Sequence, residues 1–181
     1  MKKGIIALIG MIVALVFIIV AFVGPWYGGT SSGVSVNFYL TRLESAGVSM
    51  GYDNPSVAIF MSDIKNIFDN TMYLTMGALV TAILALIGML GFVFNFGKSN
   101  MMRMLGAIFG IITFVLALAA TIYFMNALTG KMTGLTGFWN EEAGPGYAWY
   151  LMLVATIIAL IASIAMFLKK SDPEVVAQPP Q

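Results

Sequence analysis

Four stretches of this chain carry no Asp, Glu, Lys, Arg or His: residues 4–41, 70–97, 104–130 and 143–168. Each holds an apolar run of about 20 residues or more, and a 20-residue helix is about 30 Å long, the thickness of a bilayer's hydrocarbon core. A segment in lipid must satisfy its own backbone hydrogen bonds, so such runs are read as helices. The expected fold is all-α and membrane-embedded: one domain over residues 1–181, a four-transmembrane-helix bundle with a small strand-and-helix region in its first outer loop. The spans are placed at about 4–23, 72–95, 103–127 and 147–168, the outer loops at 24–71 and 128–146, and a tail at 169–181. Hydrophobic residues make up 60% of the chain and charged residues 9%, against about 25% charged in soluble domains.

The position of the charges orients the bundle. Lys2, Lys3, Lys98, Arg103, Lys169 and Lys170 fall on the side shared by both termini and the loop after span two, while Arg42, Lys65 and Lys131 fall on the other. Six against three predicts cytoplasmic termini in a multi-pass plasma-membrane protein. Lys2-Lys3 before an apolar run also suits a signal peptide. That run is about 20 residues, longer than a signal core of about 7–15, and Gly24-Pro25-Trp26 offers no small-x-small site, so the first helix is expected to be retained.

The chain has no cysteine, so its outer loops must fold by packing without disulfides. In the first loop Val34, Val36, Phe38 and Leu40 alternate with Ser35, Asn37 and Tyr39, the period of a half-buried strand over 34–40. A turn-rich patch follows over 47–55. Asn54 can cap a helix with Pro55 at its first position. Val57, Phe60, Met61, Ile64, Ile67 and Phe68 then recur at helical spacing opposite Asp63, Lys65 and Asn66, which predicts a short amphipathic helix before span two. Its apolar face either covers the mouth of the bundle or offers Phe60, Ile64 and Phe68 to a partner. Trp26, Tyr27, Tyr73, Trp149 and Tyr150 stand at the outer ends of the spans and read as interface anchors. The 169–181 tail is polar and is expected to be disordered.

Small residues recur within the spans: Gly77, Thr81, Ala85 and Gly88; Gly106, Gly110, Thr113, Ala117, Ala120 and Thr121; Ala155, Ala159, Ala162 and Ser163. Lipid gives helices no hydrophobic reason to associate, so close packing of such stripes is what brings them together. Gly106, Gly110, Ala117, Ala155 and Ala159 are the candidate packing positions.

Chemistry finds little to work with. No ionisable side chain lies deep in a span, where proton and ion paths usually need one. Without His and Cys the commonest bases and transition-metal ligands are missing. Glu141-Glu142 reads as a solvated pair on a Gly-rich loop. The Met101-Met102-Arg103-Met104 cluster could in principle hold Cu(I), but Met is also a common apolar filler. Basic residues are too few and scattered for nucleic acid. No enzyme activity, cofactor or metal is expected. The expected partners are the lipid bilayer and other membrane proteins, or further copies of the chain.

The layout resembles the claudin-like, peripheral-myelin-type four-span superfamily. The likeness lies in a very short N-terminus, a long first outer loop with strand pattern and then a helix, a tight inner turn, a long third span and a shorter second outer loop. Trp26 sits where that family places its first loop tryptophan. The family's Gly-Leu-Trp with two cysteines is absent here. The resemblance implies a left-handed four-helix bundle supporting an outer β-sheet, used for adhesion, barrier or partner association, and without the cysteines junction formation is not carried over. The expected function is a structural or interaction protein that recognises partners through its outer loops. The alternatives are an accessory subunit of a larger membrane complex and a small oligomeric channel or transporter.

Overall fold

The computed structural model describes residues 2–31, 33–95, 99–132 and 143–168. The tail and most of the second outer loop, with Phe138, Trp139, Glu141 and Glu142, lie outside the described residues. Four helices make the frame: α1 (Lys2–Val23), α2 (Pro55–Val93), α3 (Ser99–Met132) and α4 (Tyr147–Phe167). Each contains a segment long and apolar enough to cross a membrane: Gly4–Val23, Ile64–Val93, Asn100–Thr129 and Tyr147–Phe167. They pack in a ring, α1 against α2, α2 against α3, α3 against α4 and α4 against α1.

One rule sets the packing of all four helices. A repeating seam of buried positions runs through Ala7, Met11, Ala14, Ile18 and Ala21 in α1, and through Thr71, Thr75, Ala78, Ala82, Ala85 and Met89 in α2. In α3 the seam runs through Gly106, Gly110, Thr113, Ala117, Ala120 and Phe124, with Ala107 and Thr121 buried beside it, and in α4 through Ala148, Met152, Ala155, Ala159, Ala162 and Met166, with Thr156 and Ser163 beside it. The steps alternate between four and three. That average of 3.5 residues keeps one face of each helix turned to its neighbours. Most of these side chains are small, so the backbones approach closely, and unbranched Met fills what gaps remain. Seam positions missed from sequence include Ala7, Ala14 and Ala21 of α1, spaced seven apart.

α2 and α3 meet backbone to backbone. A Cβ placed on Gly88 would lie 2.5 Å from the Gly106 nitrogen and 2.7 Å from its Cα. One placed on Gly106 would lie 2.9 Å from the Met89 nitrogen. At Gly110 it would meet the Ser163 hydroxyl of α4 at 2.1 Å and the Met11 methyl of α1 at 3.0 Å. Ala117, Ala155 and Ala159 are wholly buried in the same seams. The buried hydroxyls are satisfied locally. Thr71, Thr75, Thr121, Thr156 and Ser163 each donate to the carbonyl four residues earlier. Thr113 reaches across to the Thr81 hydroxyl at 3.0 Å.

The helices differ in length, and this shapes the sheet end. α1 and α4 have 22 and 21 residues, while α2 and α3 have 39 and 34. At about 1.5 Å per residue the longer pair reaches some 20 Å further. The expected amphipathic helix is therefore not a separate element. It starts where the sequence placed it, with Asn54 accepting from the Ser56 amide and Pro55 in the first turn. It then continues into the span, because Asp69-Asn70-Thr71 is polar but contains no helix breaker. α2 ends at Phe94, and Asn95 follows in the left-handed region at φ 56°.

Among the described residues the sheet has five antiparallel strands in the order β4-β3-β2-β1-β5. They are β1 (Pro25–Ser31), β2 (Val34–Tyr39), β3 (Arg42–Ser45), β4 (Val48–Gly51) and β5 (Gly144–Pro145). Only β2 was read from the alternation. β3 and β4 are joined through Ala46 and Gly47, at φ 52° and 77°, the backbone of a two-residue type I′ hairpin turn. The 47–55 patch thus contains a strand as well as turns. β5 pairs Tyr27 with Pro145 and Gly28 with Gly144, so both loops at this end build one sheet.

Candidate interaction surface

The β-sheet has two chemically distinct faces because side chains alternate along each strand. Register puts Tyr27, Phe38, Leu43 and Met50 in one row, with Val36, Ser45 and Val48 in the next. The opposite face carries Tyr39, Asn37, Arg42, Glu44 and Ser49.

The apolar face is fastened to the bundle by rings. Phe68 of α2 lies at the hub: it stacks on Phe38 at 5.9 Å and on Tyr52 at 5.2 Å, and meets Phe124 of α3 edge-on at 5.4 Å. Trp26 meets Phe124 at 5.2 Å and donates its indole N–H to the Ala21 carbonyl at 2.7 Å. Tyr52 donates to the Tyr39 carbonyl at 2.6 Å, and its burial pushes the phenol far above its ordinary range, so it stays neutral. The Gly146 amide donates to the Trp26 carbonyl at 2.8 Å and ties α4 to β1. Lys65 and Asp53 form an ion pair beside the start of α2. An exposed pair of this kind contributes little to stability.

These contacts revise two sequence expectations. Ile64 and Phe68, expected as side chains offered to a partner, are 2% and 0% exposed. Val57, Ile64, Ile67 and Phe68 are buried, and Phe68 stacks on the protein's own sheet, so these members of the stripe are internal packing. The Phe60 side chain lies outside the described residues. Trp26, read as an interface anchor, is 0% exposed. It locks the sheet onto the bundle, because the indole finds its acceptor at the end of α1. Tyr27 is half-buried against Phe38. Trp149 is half-buried too and donates to the Thr121 carbonyl at 3.1 Å. Tyr150 is exposed, as are Tyr73 and Tyr147, so tyrosines present the polar-tipped rings suited to an interface.

What stays open is the far side of the sheet. β4 is an edge strand whose one described neighbour is β3. Val48 is 57% exposed and Val34 39%. Both belong to the apolar face, beyond the row that Phe68 covers. Sequence reasoning missed this surface because β4 contains Ser and Gly and is only four residues long. The alternation of Val48 with Met50 was its signal. Among the described residues no group of three or more Asp or Glu could hold a metal ion.

No family model matches the chain, and no curated protein sequence matches it.

Proposed function

We infer that this is a non-catalytic membrane structural and interaction protein of claudin-like architecture, placed in the plasma membrane with cytoplasmic termini. Its outer sheet recognises other membrane proteins or further copies of the chain. One observation carries this reading: strands from both outer loops form a single sheet riveted to the bundle by the Phe68 ring cluster. A surface held that firmly is already ordered, and binding to it loses less conformational entropy. An open edge strand adds unpaired backbone donors and acceptors, which a partner strand can use. No Asp, Glu, Lys, Arg or His lies deep within a span to serve transport chemistry.

Replacing Val34 and Val48 together by Asp tests the reading. Crosslinked partners in the native membrane are expected to fall about tenfold, the effect of losing roughly 1.4 kcal/mol of binding. Four-span insertion is expected to survive, because the spans supply it. Full retention of partners by a correctly inserted variant would sink the sheet reading. Contacts through the helix flanks, as in an accessory subunit, would replace it.

Orientation has its own test. With no native cysteine, Ser49→Cys should label with an impermeant thiol reagent on intact cells, and Ser99→Cys should not. The reverse pattern would place the sheet in the cytoplasm.

A further inference from the structure

The polar face of the sheet carries an arrangement at its base that partner recognition through Val34 and Val48 does not use. β1 leaves the end of α1 at Pro25, which pairs with Tyr39, so the Tyr39 end of β2 and the Arg42 end of β3 lie next to the spans. Phe68, stacked against this base, is five residues from the exposed Tyr73, or about 7.5 Å along α2. If exposed tyrosines mark the edge of the hydrocarbon, this base falls in the headgroup layer, a zone about 5–7 Å deep.

Arg42 makes no ion pair among the described residues, and its guanidinium lies 4.2 Å over the Tyr39 ring. Glu44 points from the same face of β3, two residues or about 7 Å further from the bilayer. Tyr39 stands on the same face of the neighbouring strand β2. A cation near the bilayer and an anion above it therefore stand on one face of the sheet. That order is the mirror of a zwitterionic phospholipid, whose phosphate lies nearer the glycerol and whose ammonium extends outward. An anionic lipid would satisfy the guanidinium but would leave Glu44 without a cation. Free inorganic phosphate would bring its charge to both groups.

We propose that Arg42 and Glu44 hold the headgroup of a zwitterionic aminophospholipid in the leaflet on the sheet side, the phosphate on Arg42 and the ammonium on Glu44. The Arg42 fork can donate two parallel bonds to phosphate oxygens. Glu44 accepts from the ammonium. The inference rests on the membrane placement of the spans and is independent of what the far side of the sheet recognises.

The test uses the full chain in nanodiscs of equal phosphatidylethanolamine and phosphatidylglycerol, with retained lipid read by native mass spectrometry. The wild type is expected to keep phosphatidylethanolamine in preference. Arg42→Gln should lower retention of both lipids about tenfold, the fold-change for one charge-assisted hydrogen bond. Glu44→Gln should keep phosphatidylglycerol and lose the preference. Thermal unfolding of each variant in the same discs checks the fold, and Glu44→Gln stays decisive if Arg42→Gln misfolds. Equal retention of the two lipids by the wild type would overturn the proposal, as would an Arg42→Gln protein that keeps both. Displacement of the lipid by added inorganic phosphate would assign the site to a free anion and also overturn it.

Discussion

Alanine at Gly88 is expected to cost the protein about 2 kcal/mol, within the range for overpacking a tight core. In most helices this change helps, because alanine is better than glycine by about 1 kcal/mol in the interior. Here the new methyl would stand 2.5 Å and 2.7 Å from backbone atoms of Gly106, while carbon atoms prefer about 3.5–4.0 Å. Backbone cannot rotate aside as a side chain can. α2 and α3 must therefore separate, and the Ala85 and Met89 contacts loosen with them. Gly106→Ala should behave similarly, since its methyl would meet the Met89 backbone at 2.9 Å. Ile112→Leu provides the control: Ile112 is 37% exposed on the outside of the ring and should change stability little. Thermal unfolding in one detergent compares the three. Equal stability would mean that the α2–α3 contact is looser than described.

Phe68→Ala should have the largest effect of any single change in the sheet region, about 3–5 kcal/mol for a buried Phe. Its ring touches Phe38, Tyr52 and Phe124, so one deletion unstitches two elements of the sheet region from two helices. The loss should be local. Residues 25–51 are expected to gain protease sensitivity and faster amide exchange, while the span segments keep their protection. Phe68→Leu, which retains apolar volume but no ring, should fall between. A variant whose spans and sheet lose protection together would show that the sheet is needed for the bundle itself.

The four spans were legible because lipid leaves a chain so few choices: a charge gap of 20 residues has little else to become. Asn54-Pro55 was legible for a similar reason, since capping is a local interaction. The fate of Phe68 was not. A helical stripe of apolar residues says that one face is covered, but the cover is a sheet whose strands β1, β3 and β4 left weak signals. β1 reads Pro-Trp-Tyr-Gly-Gly-Thr-Ser, a composition that favours turns over strands. It is held as a strand by pairing on both sides, with β2 and β5. Trp26 shows the same limit. A Trp at the end of a span fits an aromatic belt equally well until the Ala21 carbonyl is seen beneath it. Gly106 and Gly110 were visible as small residues, but which backbone they touch depends on register between helices, which no single span encodes.

The unbroken α2 gives the molecule unequal lever arms. The tight Gly88–Gly106 contact leaves about 50 Å of rod toward Pro55 and only about 8 Å toward Val93. With no proline beyond its first turn, the rod has no obvious place to bend. Were it to pivot at that contact, the two ends would travel in a ratio of roughly six to one. A tug on the sheet would hardly move the short loop at the termini end. A small shift at that loop would swing the far end of the rod, and the sheet resting on it, several times as far.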